Sequence, residues 1–276
     1  NALELGLLAA ISREPVNLVV TLPGTSESEK PYSDLVAKAF EEGLIPGMWG
    51  IGASLDEEGI RFMDLVSAAR LICSSSVQEG FGYLFINAVQ WKIPLFARYL
   101  TILDGIVDVF REHPHLFYTT IHVPIENEHR RKMRNQYEKK IDRLTSAIPS
   151  ARIEALRSQA ASLGNEGTVD FSYFAAEEQI EILRRTSNNR SYKNGICQMN
   201  NGILKELENL THLGTLENAP PVSSDWPFSF RAFAETVGNI IDSYESPPRV
   251  GPAQNVQENL IARFAELADL RLIFGE

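Results

Sequence analysis

The feature that leaves this chain the fewest folds is an alternation in its first 125 residues: short β-branched runs, each followed by a stretch with helical spacing. "VNLVVTLPG", closed by Pro23-Gly24, reads as a buried strand, as do "RLICSS" and "IPLFAR". "LIPGMWGIG" is a weaker strand, interrupted by glycines and Pro46. Around them, "ALELGLLAAI" (Leu3, Leu5, Leu7, Leu8, Ile11), "YSDLVAKAFEEG" with Gly43 as C-cap, "EEGIRFMDLVSAA", "YLFINAVQW" and "GIVDVFREH" are spaced as helices. A last extended piece, "FYTTIHVP", follows. Strands separated by helices of roughly 10–15 residues imply βαβ units. The expected class is therefore α/β, a Rossmann-like parallel sheet with helices on both faces.

From Ile125 the character changes. "ENEHRRKMRNQYEKKIDRLTSAI", "PSARIEALRSQAASLG" and "AAEEQIEILRRTS" are helical patterns, the last two separated by the turn-rich "GNEGTVDFS". Further helices follow "NNRSYKNG", a Pro-rich break "NAPPVSSDWPFSF", then "RAFAETVGNIIDSY" and "NVQENLIARFAELADLRLIF". The expected division is a Rossmann-like domain over 1–125 and a mainly helical extension over 126–276. At 276 residues the chain exceeds the usual ~100–200 of one domain, and 44% apolar residues suffice for a sizeable core.

Charge and cysteines narrow the function. Thirty-six acidic residues against 26 basic give a net charge of −10, the wrong sign for a nucleic-acid binder, whose affinity comes from a basic surface. No window approaches 18 apolar residues, and no secretory signal opens the chain. It begins at Asn1, so it reads as a trimmed or partial chain. Cys73 and Cys197 make no disulfide framework, which points to a reducing, cytoplasmic setting. His113, His115, His122 and His129 lack the i, i+4 spacing of a helical metal site, so no metal is expected among them. The basic run "HRRKMRNQYEKK" carries its own glutamate and a weak apolar face, marking a solvated helix rather than a membrane contact.

Chemistry gathers where strands end. In an open α/β sheet, ligands sit beyond the carboxyl ends of the strands. The strand ending near Cys73 delivers Ser74, Ser75 and Ser76 to that edge, and then "EGFG", Glu79-Gly80-Phe81-Gly82, at the mouth of the next helix. Glycines let the backbone turn sharply or approach a ligand, and the helix start offers free amides suited to a diphosphate. Glu79 cannot help to bind a phosphate, but it can accept hydrogen bonds from the hydroxyls of a polyol beside one. Gly24 and Thr25 follow the first strand and could approach a phosphate; Arg98, at another strand end, is the local cation for an anionic ligand. Each has a plainer reading as turn, loop or surface. Trp226, Phe228, Phe230 and Phe233 read as packing anchors.

The turn and its setting resemble the retaining glycosyltransferases of family 4, which have the two-Rossmann GT-B fold. Their signature is a glutamate in a Glu-Gly-Phe-Gly turn and a second glutamate eight positions on. Glu79, Gly80, Phe81 and Gly82 match; Asn87 stands where the second glutamate would. "NLVVTLPG", "FMDLVSAARLICSSS" and "KIPLFAR" resemble the neighbouring segments, with Lys92-Ile93 replacing the family's glycine. The resemblance covers about residues 1–125 and implies the donor-binding half of such an enzyme. Glu79 would contact the donor sugar, the turn amides and Ser76 would border its phosphate region, and Asn87 would face the nucleotide ribose. The partners implied are a nucleotide diphosphate sugar and an unidentified acceptor, with no cofactor. The acceptor-binding Rossmann domain of that family has no counterpart here, so a further domain or a partner chain is implied. The rival expectation is a non-catalytic interaction module that keeps the fold; Asn87 and the replaced glycine favour it. A different phosphosugar-binding α/β enzyme is a third.

Overall fold

The computed structural model describes residues 1–24, 26–77, 82–214 and 230–242, together with Leu267 and Leu270. Thr25, Glu79, Gly80, Phe81, Trp226 and Phe228 lie outside the described residues. Helix α1 (Ala2–Ile11) leads to β1 (Leu18–Val20), α2 (Lys30–Glu41) and β2 (Gly47–Trp49). Next come α3 (Gly52–Glu57), α4 (Phe62–Ala68), β3 (Ile72–Ser74), α5 (Tyr83–Gln90), β4 (Leu95–Arg98) and β5 (His115–Tyr118). β1 pairs with β2 in parallel, and β3, β4 and β5 form a second parallel ladder with β4 in the middle.

The sequence explains why β4 is central. Leu95, Phe96 and Ala97 form an uninterrupted apolar run and all are fully buried. Alternate side chains of a strand point to opposite faces. Leu95 and Ala97 accordingly pack with Phe85 and Ala88 of α5, while Phe96 joins Leu3, Leu7 and Tyr118 in the larger core. Both faces of the sheet are thus covered, as a Rossmann-like arrangement requires.

The second half is helical: α6 (Asn127–Leu144), α7 (Ser150–Ser162), α8 (Ala176–Asn188), α9 (Arg190–Met199), α10 (Asn201–Leu213) and α11 (Phe230–Asp242). The larger core runs from Leu3 through Tyr137, Phe171 and Leu183 to Leu270, so packing is continuous across residue 125.

Four details differ from the sequence reading. The helix expected over "EEGIRFMDLVSAA" is the end of α3 and a separate α4, parted by Gly59 at φ +71. "GIVDVFREH" holds a 3-10 turn at Val107–Phe110 in place of a helix, just after another at Thr101–Gly105. The segment "FYTTIHVP" divides into β5 and β6 (His122–Pro124), and β6 pairs antiparallel with β7 (Thr168–Asp170), inside the stretch read as turns. Phe233 is 64% exposed and anchors no packing among the described residues.

Candidate active site

At the carboxyl ends of β3, β4 and β5 the structure leaves a cleft of about 640 Å³. Its first wall follows those strands: Val77 after β3, Arg98 to Leu100 at the end of β4, Thr119 and Thr120 after β5. The facing wall comes from His122 of β6 and, from the second half, Gly164 to Glu166 after α7 and Asp170 of β7. Its size lies within the ~300–1,000 Å³ range of small-ligand sites. A larger hollow of about 710 Å³ is bordered, among the described residues, by α6 alone, from Glu128 to Lys139. That is one solvated helix face, and the strand-end cleft is the better candidate.

A buried ion cluster forms the cleft floor. Arg98 donates from Nε to Glu4 Oε1 at 3.0 Å and from Nη2 to Glu4 Oε2 at 2.6 Å. It also donates from Nη1 and Nη2 to the Asp170 carboxylate, both at 2.9 Å, and from Nη1 to the Thr119 carbonyl at 2.7 Å. A guanidinium has five N–H donors. All five are committed to the protein. The Tyr118 hydroxyl donates to Glu4 Oε1 at 2.7 Å, and the Ser172 N–H donates to Asp170 Oδ1 at 3.0 Å. Burial opposes the charge on Arg98, but the hydrogen bonds to Asp170 and the field of Glu4 outweigh it and strengthen its hold on its proton. Burial, then the neighbouring Glu4, pushes the Tyr118 hydroxyl well above its ordinary range.

In the structure Arg98 has a full set of protein partners. It lies at the strand end as anticipated, but its charge is met twice over and no N–H remains for an anionic ligand. It ties α1, β4 and β7 together. Among the described residues lining the cleft there is no other arginine or lysine.

Of the other expected residues, Gly24, Ser76, Gly82 and Asn87 are described, and none of them lines the cleft. Ser75 donates to the Asn1 carbonyl at 2.8 Å, and Ser74 Oγ accepts from the Ser76 N–H at 3.3 Å, so both support the loop after β3. Ser76 and Asn87 are half-buried, and neither lines the cleft. Gly82 caps α5 with φ 78° and ψ 38°, and a Cβ there would lie 2.6 Å from Phe85 Cδ2. Only glycine fits that left-handed, close-packed position. Gly24 sits against Glu29, whose carboxylate bends back to Ser26 Oγ at 2.6 Å; those bonds hold Glu29 below the usual carboxylate range. The two strand-end loops converge on the start of α1. The Leu3 N–H donates to Tyr32 Oη in the first turn of α2 at 3.2 Å, and Ser75 bonds Asn1.

Lys92 is the one non-glycine residue with positive φ (57°) among the described residues. The cleft residues that sequence reasoning passed over are Thr119, Thr120, Glu166, Asp170 and, as a cleft group, His122. The first pair directly follows β5 and was within reach of the strand-end rule; Glu166 and Asp170 were hidden in a stretch read as turns. Elsewhere, Glu14, Glu208 and His212 bring ligand-type atoms within 4.8 Å of one another on the surface, and an ion pair of 3.3 Å between His212 and Glu14 accounts for the grouping.

Comparison with known proteins gives one likeness over nearly the whole chain. It is 23% identical over 269 residues to mannosylglucosyl-3-phosphoglycerate synthase of Petrotoga mobilis (strain DSM 10674 / SJ95). The match takes in 94% of this chain and 50% of that protein, so the chain spans half the length of the relative. No protein-family model and no solved structure matches it.

Proposed function

We propose that the chain is the donor-binding half of a retaining GT-B glycosyltransferase, taking a hexose from a nucleotide diphosphate sugar to an acceptor. The observation that carries this reading is the strand-end cleft: Val77, on its wall, stands two residues before Glu79-Gly80-Phe81-Gly82 in the sequence. In the proposed mechanism the amides of Gly80 and Gly82 stabilise charge on the departing diphosphate, since donors preset toward developing charge lower the barrier without reorganising. Glu79 orients the donor hexose. Asn87 faces the ribose with one acceptor and two donors in place of a carboxylate's acceptors. Gly24 and Thr25 flank the phosphates from the loop after β1. A further α/β domain closes the cleft and brings the acceptor, excluding water that would hydrolyse the donor; the relative's double length is compatible with such a domain.

A second reading, a binding module that has kept the fold without the transfer, draws on one observation: the only arginine lining the described cleft is fully neutralised. Calorimetry on the full chain with UDP, GDP and their hexose conjugates tests the first reading. Saturable binding of a nucleotide sugar, lost in Glu79→Gln or Gly80→Val, is the expected result. Silence across the panel rejects the donor site.

A further inference from the structure

His122 opens β6 and borders the cleft with an exposed side chain. From behind, a single side chain holds both of its backbone groups. Asn200 Oδ1 accepts from the His122 N–H at 2.9 Å, and Asn200 Nδ2 donates to the His122 carbonyl at 2.7 Å. The other Nδ2 hydrogen reaches the Ile196 carbonyl at 2.9 Å. Asn200 is 2% exposed, between α9 and α10. A buried amide is costly unless bonded, and this one directs two of its three side-chain hydrogen bonds at one residue of the cleft wall.

The strand register shows where that residue points. His122 stands opposite Asp170. Because Asn200 takes the N–H and C=O of His122, the two residues form a non-hydrogen-bonded pair, the kind whose side chains stand closest on one sheet face. The imidazole therefore stands on the same face as the Asp170–Arg98 pair at the cleft floor. Around the same cleft, the side chains of Thr119, Thr120, Glu166 and Thr168 make no hydrogen bond within the described residues. The groups left to meet a ligand thus include an imidazole, three threonine hydroxyls and a carboxylate. Such a set donates to and accepts from neutral hydroxyls. With Arg98 fully committed and Asp170 and Glu166 both acidic, it repels a phosphate.

We propose that His122 contacts the ligand of this cleft, that the part it contacts is the uncharged, hydroxyl-bearing carbohydrate, and that Asn200 is the positioning residue that fixes it. This rests on the reading of the cleft as a sugar site and assigns its second wall: the β6 side takes sugar hydroxyls, and phosphates stay at the glycine turn.

The test uses the full chain with isotope-labelled histidine. Five histidines allow the His122 ring signals to be assigned by comparison with His122→Gln, an exposed substitution that preserves the fold. Glucose, mannose and galactose are titrated in, and separately inorganic phosphate and pyrophosphate. A hexose is expected to shift the His122 signals and spare the other four rings, while pyrophosphate leaves them in place. Asn200→Ser should weaken the hexose response at least tenfold and broaden the His122 signals. Asn200→Asp, which keeps the acceptor for the His122 N–H, should fall between. The proposal is overturned if pyrophosphate moves His122 and no hexose does, if no hexose moves it, or if His122→Gln binds hexose as the parent does. Nucleotide silence in calorimetry with an intact hexose response would reject the donor-site reading alone.

Discussion

Replacing Arg98 by methionine removes the one cation from a buried cluster that otherwise holds two carboxylates. The Glu4 side chain is fully buried, and those of Asp170 and Arg98 are only 8% and 10% exposed. Nη2 of Arg98 carries Glu4 Oε2 at 2.6 Å and Asp170 Oδ1 at 2.9 Å, so the two carboxylates approach within roughly 5.5 Å; at an effective dielectric of about 20 their bare repulsion is about 3 kcal/mol. The lost hydrogen bonds add to this, and breaking a buried pair by removing one partner costs about 3–5 kcal/mol. That is a large share of the ~5–15 kcal/mol that holds a domain folded. Urea unfolding of the parent and Arg98→Met should therefore differ by about 3–5 kcal/mol. Arg98→Lys, which keeps the charge but offers three donors in place of five, should lose less. Adding Glu4→Gln and Asp170→Asn to Arg98→Met should restore part of the loss, because the remaining groups no longer repel. A difference below about 1 kcal/mol for Arg98→Met, the scale of a surface pair, would refute the picture of a buried, desolvated lock.

Three further outcomes follow from local geometry. Gly82→Ala places a Cβ at φ 78° and 2.6 Å from the buried Phe85 ring, and should lower stability by about 1–3 kcal/mol in thermal melting. An unchanged melting temperature would mean that the turn is not held as described. Lys92→Gly should act in the opposite direction: relief of a left-handed non-glycine residue, worth about 1–2 kcal/mol, exceeds the added flexibility of the unfolded chain, about 0.5–1 kcal/mol. A loss of stability on that change would contradict it. His113 is 8% exposed and its Nε2–H donates to the Ile93 carbonyl at 2.9 Å; burial, opposed by that bond and aided by His115, holds its pKa below the ordinary 6.5. As pH falls through about 6.5 the unfolded chain binds a proton that the folded one refuses. Stability should therefore fall with pH there, by no more than about 1.4 kcal/mol per pH unit for one group. Unfolding curves at several pH values should show this slope, and His113→Gln should flatten it.

Much of the fold was legible because the parallel strands announce themselves. Leu95-Phe96-Ala97 is apolar throughout, as a strand buried on both faces must be, α1 is apolar almost all round, and α2 carries a clear periodic face that buries Ser33, Val36 and Ala39. β7 was not legible: Thr168, Val169 and Asp170 follow Gly164 and Gly167, and nothing local distinguishes a three-residue antiparallel strand from a turn. The cleft was half visible for the same reason. Its strand-end wall follows from a rule about parallel sheets, whereas its second wall depends on β6 leaving the sheet to meet β7. Arg98 illustrates the limit differently. Its place at a strand end was readable, but its partners Glu4 and Asp170 lie 94 and 72 residues away in sequence, so a tertiary ion cluster decided its role.

The most direct measurement is amide hydrogen exchange of the full chain with and without a saturating nucleotide sugar. The expected result is protection at Val77 to Gly82, at Thr119 to His122 and at Gly164 to Glu166, the two walls of the strand-end cleft and the turn leading from it. Protection confined to the outer face of α6, or none at any of these segments, would contradict a ligand held at the carboxyl edge of the sheet.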